Sequence, residues 1–435
     1  MKSHLLVLVS LLFISVFNLA EAQSLNFRFN NYFYSWQRID SLSDAETAKT
    51  THIRGYQNYL LEVNSGKWSL NTLAQTEEDV LNKVDSKGFN YRFYNLYLKG
   101  SNLYNMLDVK IGRQNLFAGA GTGTMDGLYL KLKTGKNKEY QFALYGGTPA
   151  PYSYEFENYS DLSKNYQFGG QFTYYGVKDL MASVSYLNRK RTPQSYTAVR
   201  LDSAFNTTIR ELTFDGPAEQ LAGFDFNYVF PAKHNVFAKA YYDIEFKKLY
   251  KAEVNLKLAL SDAARVFGEY IYREPHYTYN SIFWVFNYTS YQELSGGFDY
   301  TLDNGINIYG KTGLVQYSND NSVKIDVGFT HPNYGFTYSR YFGYAGESDG
   351  VSGYYQRNFN DNLFSASASI NYSRYRLGNS YDTDKINSLN WMLGLTYRPI
   401  PQISIDAQEQ VLINRIHEFD IRGLIGFSYW MFKKF

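Results

Sequence analysis

Apolar and polar residues alternate with a period of two along most of the chain. The clearest examples are segments 236–244, 250–260, 323–329, 363–373 and 389–398. In 250–260 the even positions, from Tyr250 to Leu260, are apolar, whereas odd positions include Lys251 and Glu253. A strand separates two such sets onto opposite faces, while a helix would mix them. The pattern therefore predicts an all-β protein.

Short and long connections alternate between these predicted strands. Tight, turn-rich joints are expected at 64–66, 135–138, 231–234, 303–305, 360–362 and 399–402. Longer polar links are expected at 38–51, 78–87, 116–125, 149–165, 190–218, 274–291, 344–352 and 377–386. This asymmetry is typical of an antiparallel up-and-down β-barrel that spans a membrane, and the spacing predicts about 22 strands, within a range of roughly 18 to 24.

The first 22 residues have the features of an export signal. Lys2 gives a positive start, Leu5 to Phe17 an apolar centre, and Ala20-Glu21-Ala22 a small-residue cleavage pattern. The apolar run is too short for a membrane anchor. We expect residues 1–22 to be a signal peptide and residues 23–435 to form the barrel.

Composition narrows the functional classes. The 43 basic and 41 acidic residues are too evenly balanced for a protein that binds nucleic acid through its phosphates. The 43 Tyr and 32 Phe are too many for a disordered chain. With no Cys, disulfides and thiolate metal sites are excluded.

Three features favour a membrane barrel over a soluble β protein. One face of the strands is charged and the other is apolar, as lipid outside and water inside require. Aromatic residues crowd the strand ends, where rings prefer the membrane boundary; they are Tyr32, Phe33, Tyr34, Trp36, Tyr94, Tyr97, Tyr174, Tyr175, Tyr429 and Trp430. The third is segment 419–431, which is apolar on one face, with the sequence ending at Phe435.

This last feature resembles the terminal-aromatic signature of bacterial outer-membrane barrel proteins, although Lys433 replaces the usual apolar residue. Over residues 25–435 the pattern resembles porin-like barrels as a class. The resemblance implies a Gram-negative outer-membrane location and recognition of Phe435 by the barrel-assembly machinery. Because the strand pattern begins directly after the cleavage site, we expect no plug domain of the kind found in energy-driven uptake receptors.

The charged face supplies the candidate pore-lining residues. The basic candidates are Lys110, Lys131, Lys239, Lys251, Lys257, Arg265, Arg273, Lys311, Lys324 and Arg422, and the acidic ones are Asp243, Glu253, Glu269, Asp299, Asp326, Asp406 and Asp420. Opposite charges on neighbouring strands can simply satisfy one another. Fixed charges also bias which ions enter a wet pore, and the slight basic excess predicts weak selectivity for anions.

Catalytic and metal-binding motifs are not apparent. The six His residues (4, 52, 234, 276, 331 and 417) have no metal-ligand spacing. The stretch 119–124 is rich in glycine but lacks the Lys-Ser/Thr ending of a phosphate-binding loop. It is interpreted as a flexible loop or, alternatively, as a loop folded inward to narrow a pore. No enzyme activity and no cofactor are expected.

A barrel of about 22 strands without a plug should have a wide lumen. The longest link, 190–218, carries several arginines and is the best internal candidate to fill it.

Three hypotheses for the function follow. The favoured one is a porin-like channel for passive diffusion of small hydrophilic solutes or ions. The second is a scaffold that sheathes a partner inserted in the lumen, such as a multihaem cytochrome in an electron conduit. The third is a surface adhesin or structural barrel.

Overall fold

The regular structure of the chain is β-strand throughout the described residues. The computed structural model describes residues 23–40, 50–84, 88–156, 161–192, 195–201, 203–212, 216–275, 290–317, 320–343, 347–376 and 385–435. No helix among them is long and apolar enough to cross a membrane. The expected signal peptide and His276 lie outside the described residues.

The strands are numbered in chain order. The first twelve are β1 Ser24–Asp40, β2 Thr51–Ser65, β3 Trp68–Leu81, β4 Phe89–Leu103, β5 Leu107–Ala118, β6 Gly121–Thr134, β7 Tyr140–Pro149, β8 Asn165–Tyr174, β9 Leu180–Arg191, β10 Tyr196–Leu201, β11 Thr207–Leu212 and β12 Glu219–Val229. The others are β13 Asn235–Asp243, β14 Lys248–Ala259, β15 Ala264–Arg273, β16 Tyr291–Thr301, β17 Asn307–Tyr317, β18 Asn321–Thr330, β19 Tyr334–Gly343, β20 Ser348–Phe359, β21 Phe364–Tyr375, β22 Ile386–Ile400, β23 Ile403–Ile413 and β24 His417–Lys434.

In the described part of the chain, 22 strands form one antiparallel sheet that closes on itself. Consecutive strands pair from β1 to β9 and from β12 to β24, and β9 pairs directly with β12. The sheet closes because β24 pairs with β1 in a register that runs from Ser24 opposite Lys434 to Ile39 opposite Phe419. The predicted up-and-down barrel and its predicted strand number are confirmed.

The two rims of the barrel differ in the length of their connections. One rim, called here the short-turn rim, holds Gln23, Phe435 and the turns at 66–67, 104–106, 135–139, 175–179, 230–234, 260–263, 302–306, 331–333, 360–363 and 401–402. Each tight turn that the sequence predicts lies on this rim. The opposite rim, called here the long-loop rim, holds the longer links.

The outer wall is apolar. Large side chains that a soluble protein would bury are exposed there, including Leu294 at 61%, Leu314 at 59% and Leu395 at 64%. Strand pairing keeps such residues on one face, since Leu314 lies directly opposite Leu294. The neighbouring positions point to the other face, as the pleat of a strand requires. The apolar positions of the alternating sequence pattern therefore face outward.

The seam between the first and last strands is reinforced by packing. Leu25, Leu61 and Val63 form a buried apolar cluster, and Phe27 and Met431 pack against it. These residues come from β1, β2 and β24, so the cluster ties both sides of the closure together. Burial of apolar surface adds to the backbone hydrogen bonds that close the barrel.

A charge on the outer wall should destabilise the barrel, whereas the same charge on the inner face should not. We expect Leu395→Arg to lower the free energy of unfolding by about 2–4 kcal/mol, because the guanidinium would face hydrocarbon. Ser367→Arg is the matched control, because Ser367 lies opposite Gly394 on the other face of the same strand pair. Urea titration of the barrel folded into lipid vesicles measures both changes. Equal losses for the two variants would contradict the assignment of faces.

Candidate functional site

The inner face of the barrel carries charged side chains, most of which meet an opposite charge on the same strand, on the adjacent strand or on the next strand but one. Such pairs keep a wet interior electrically balanced, and those between adjacent strands also stabilise the sheet. The pairs among the predicted residues are Lys239–Asp225 at 3.7 Å, Lys251–Glu253 at 2.8 Å, Arg265–Asp299 at 2.7 Å, Lys311–Glu269 at 2.7 Å, Lys324–Glu293 at 2.7 Å and Arg422–Asp420 at 2.7 Å.

Charges inside and apolar side chains outside, on a closed sheet, decide the class of this molecule. Only a barrel in a lipid bilayer with a watery interior suits that inversion, because closure leaves no unpaired strand edge in hydrocarbon. The chain forms a closed, membrane-spanning β-barrel.

Five further candidates lie on the inner face of the barrel without forming one of these ion pairs. They are Asp243, Lys257, Arg273, Asp326 and Asp406. Asp243 is buried and accepts a hydrogen bond from the Phe246 amide at 2.9 Å. Asp406 accepts one from Thr396 Oγ1 at 2.6 Å. Asp326 lies directly opposite Lys311, whose ammonium binds Glu269 instead.

The glycine-rich stretch 119–124 forms the tip of the β5–β6 hairpin, and this tip folds into the lumen. Beyond Arg113, β5 no longer pairs with β4, and β6 before Met125 pairs only with β5. The freed tip, residues 114–124, is called here the inward hairpin. It packs on the inner wall of β7, β9 and β12. The interpretation of 116–125 as a long polar link is wrong, because most of it is extended and paired.

A buried apolar cluster fixes the inward hairpin to the wall. Its hairpin members are Leu116, Ala118 and Ala120, Met125 follows directly after the hairpin, and its wall members are Tyr145, Leu187 and Leu221. The Ala120 amide also donates a hydrogen bond to Ser185 Oγ on β9, at 2.9 Å. On the opposite face of the hairpin Phe117 is 81% exposed. The hairpin thus has one face bonded to the wall and one face turned to the open lumen.

Glycines permit this close approach. A Cβ on Gly121 would lie 2.2 Å from the Tyr145 hydroxyl, and one on Gly119 would lie 2.2 Å from Ser185 Oγ. Gly112 stands where the hairpin leaves β4, with φ at +120° and room for no Cβ, since Leu96 O would be 2.4 Å away. That backbone conformation favours glycine over any other residue.

Arg113 holds the base of the inward hairpin. Its guanidinium makes two parallel bonds to Asp126 on β6, both at 2.7 Å, while the side chain is almost fully buried. It also donates to the carbonyls of Phe93 at 3.2 Å, Tyr154 at 2.7 Å and Glu155 at 3.2 Å. One side chain therefore joins β4, β5, β6 and the chain after β7, in the bidentate geometry that makes such pairs strong.

The segment 150–156, which follows β7, fills the gap that the hairpin leaves in the wall. The Phe93 amide on β4 donates to Tyr154 O at 2.9 Å, and the Ala150 amide donates to Thr124 O at 2.9 Å. A second arginine, Arg189 on β9, donates to Thr122 O at 3.0 Å and to Glu219 at 2.8 Å. The inward hairpin is thus tied at its base and near its tip.

The predicted internal link 190–218 behaves differently. Its described residues form a separate two-stranded sheet, β10 with β11, in the link between β9 and β12. Large side chains on this hairpin are exposed, among them Phe205 and Ile209. The described residues of 190–218 therefore do not pack on the inner wall as the inward hairpin does.

Two further details depart from the sequence pattern. The β13–β14 register shifts between Tyr241 and Tyr242, so Tyr250 becomes an extra residue and packs on the inner cluster rather than facing lipid. Several predicted members of the aromatic girdle also face the lumen, among them Tyr32, Tyr34 and Trp36, which lie on the same face of β1 as Asn26. Tyr97 lies beside Lys110, and Trp430 Nε1 donates to Asn26 at 2.8 Å.

The described histidines lie apart and serve local structure. His52 Nδ1 is 2.7 Å from Asn82 O, and His234 Nδ1 accepts a hydrogen bond from the Ala259 amide at 3.0 Å. Within the residues that the structure describes, no group of three His, Asp or Glu is placed to hold a metal ion.

Comparisons with known proteins give distant structural similarity only. No protein-family model matches the chain, and no curated protein matches it. Among solved structures it is similar to the translocation pore of the P pilus usher PapC, with 10% identity over 94% of this chain and 99% of that chain and a TM-score of 0.46. Acinetobacter baumannii OccAB1 gives 10% identity over 95% and 99% of the two chains, with a TM-score of 0.43. Pseudomonas aeruginosa OpdQ gives 9% over 94% and 98%, also with 0.43.

Sequence reasoning did not find Arg113, although one signal for it exists. Strict alternation after Ile111, which faces lipid, places Arg113 on the lipid side of β5. An arginine at such a position, directly after a glycine, indicates that the strand leaves the wall there. Its partner Asp126 lies directly opposite Arg113 in the hairpin, so its side chain is on the same face of the strand pair.

An engineered disulfide can test the position of the inward hairpin, since the chain has no Cys of its own. We expect Ala120→Cys with Ser185→Cys to form a disulfide on mild oxidation, because the Ala120 amide and Ser185 Oγ are 2.9 Å apart. Non-reducing electrophoresis of the folded barrel measures the yield. Ala120→Cys with Ser322→Cys, on distant β18, should stay reduced. A high yield for the control, or none for the first pair, would contradict the inward position.

Proposed function

We propose that the protein is a diffusion channel of the bacterial outer membrane for small hydrophilic solutes or ions. The observation that carries this proposal is a charged, closed lumen that the inward hairpin covers in one sector only. The 22 strands, spaced about 4.8 Å apart and tilted by about 40°, would enclose a circular section about 44 Å across between backbones. A single two-stranded hairpin is too narrow to block such an opening.

The asymmetric rims supply an orientation. In barrels of this type the tight turns face the periplasm and the long loops face outward. The short-turn rim would then be periplasmic, with the exposed Phe435 available there to the assembly machinery. The β10–β11 hairpin would extend on the outer side.

The barrel should conduct ions when purified and inserted alone into a planar lipid bilayer. We expect steady, ohmic current steps in potassium chloride and a weak preference for chloride, because basic side chains exceed acidic ones on the inner face. Single-channel recording and the reversal potential in a salt gradient measure both properties. Folded protein that inserts without current would contradict the channel, and a clear preference for potassium would contradict the charge argument.

Removing Arg113 should loosen the inward hairpin and change the current. Arg113→Ala leaves Asp126 without its partner, and breaking a buried pair of this kind removes about 3–5 kcal/mol of stability. We therefore expect larger and noisier current steps and a lower unfolding temperature. The control is Arg265→Ala, whose guanidinium is largely exposed in its pair with Asp299, so its loss should stay below about 1 kcal/mol. Identical current traces for Arg113→Ala and the wild-type protein would refute the constricting role of the hairpin.

A second candidate function is a sheath around a partner inserted in the lumen. The width of the opening favours it, because the open section exceeds what small solutes require. Extraction of the barrel from its native membrane in mild detergent separates the two candidates. A partner retained in fixed stoichiometry, together with absent current, favours the sheath. A barrel that purifies alone and conducts favours the channel.

A further inference from the structure

Three lysines meet on the inner wall of β4, β5 and β6. Lys99 lies directly opposite Lys110 in the β4–β5 register, and Lys131 lies two positions along β6 from the residue opposite Lys110. All three are partly exposed to the lumen near the short-turn rim. With the two tyrosines that flank Lys110, Tyr97 and Tyr129, they are called here the lysine patch.

The lysine patch differs from much of the inner face. Many other lysines and arginines there pair with a carboxylate, as Lys311 pairs with Glu269 at 2.7 Å, while Lys257 and Arg273 are exceptions. In the described part of the chain no ion pair joins Lys99, Lys110 or Lys131 to a carboxylate. Like charges directly opposite one another destabilise a sheet. Asp108 lies directly opposite Lys131, but one carboxylate that already pairs with Lys133 cannot balance three more lysines. The folded barrel therefore holds an excess of positive charge at one defined place.

The nearest carboxylates are already engaged. Asp108 forms an ion pair with Lys133 and accepts a hydrogen bond from the Asn102 amide at 2.7 Å. Glu62, two strands further along the sheet, accepts one from Asn64 Nδ2 at 3.3 Å. The positive charge of the lysine patch can therefore be neutralised by an anion from solution.

The tyrosines give the lysine patch its shape. The Lys110 ammonium lies 5.4 Å from the ring centroid of Tyr97 and 5.4 Å from that of Tyr129. The two rings hold the ammonium between them by cation–π attraction, which limits its motion. Their hydroxyls are hydrogen-bond donors in the same place. An anion with several oxygens can therefore meet ammonium and hydroxyl donors from three strands at once.

We propose that the lysine patch is a binding site for small solutes with two or more negative charges on oxygens, that is, phosphate-type or polycarboxylate anions. This inference deepens the proposed channel by naming its solute class. The site would concentrate such anions at the wall below the inward hairpin. Charge-assisted hydrogen bonds from ammonium groups are the interactions that would bind them.

Pyrophosphate is a suitable probe, and its binding can be measured without any current. Isothermal titration calorimetry on the full barrel in detergent gives Kd for the wild type and for Lys110→Gln. We expect Lys110→Gln to raise Kd by about tenfold, the loss of one charge-assisted hydrogen bond, and Lys110→Arg to restore most of the affinity. Lys178→Gln is the control for net charge, since Lys178 lies exposed in the β8–β9 turn on the same rim; its Kd should change by less than about twofold.

Folding and conduction are measured separately from binding. Lys110→Gln removes a like-charge contact, so it should fold at least as well as the wild type, which heat-modified electrophoresis verifies. If the barrel conducts but does not bind pyrophosphate, the proposed site is overturned and the proposed channel stands. The same conclusion follows if Lys110→Gln and Lys178→Gln lose equal affinity for pyrophosphate. If Lys110→Gln selectively weakens pyrophosphate binding but the barrel passes no current, the site is supported and the channel is overturned.

Discussion

Every backbone amide and carbonyl that lies in hydrocarbon must find its partner within the protein, and this chain meets that demand by pairing β24 with β1. Closure fixes the rest of the wall. With no free edge, each strand has two neighbours, its side chains alternate between lipid and lumen, and the lipid-facing set must be apolar. The exposed leucines of the outer wall, such as Leu294 and Leu395, follow from this requirement.

The inward hairpin shows how the same demand is met where the wall is interrupted. When β5 leaves β4 after Arg113, the amides of β4 near Phe93 lose their neighbour. The segment after β7 takes that place, since the Phe93 amide donates to Tyr154 O. Arg113 then satisfies three carbonyls and one carboxylate at the junction. The constriction is therefore built into the wall and is not a loop resting on it.

Charge is distributed unevenly around the interior. From β12 to β20 many of the charged side chains in the lumen form ion pairs, as Lys324 and Glu293 do, and these pairs leave less net charge there. On β4 to β6 the lysines stand together, while Asp108 is held by Lys133. The inward hairpin rises from two of these same three strands, so constriction and positive charge share one sector. A solute that passes along this wall meets both.

The features that depend on local alternation could be predicted from the residues alone. The period of two in segments such as 363–373 fixed the strand type, the outward face and, through the turns, a strand number close to the observed 22. It also supplied the charged residues of the inner face. Which of those charges neutralise one another is visible only in the folded barrel, because ion pairs such as Lys311–Glu269 join strands that are not adjacent. The folded barrel alone places 114–124 inside the lumen, since that position depends on contacts with Ser185 and Leu187, far along the chain. Alternation indicates which face of its own strand a residue occupies. It does not indicate where that strand leaves the sheet.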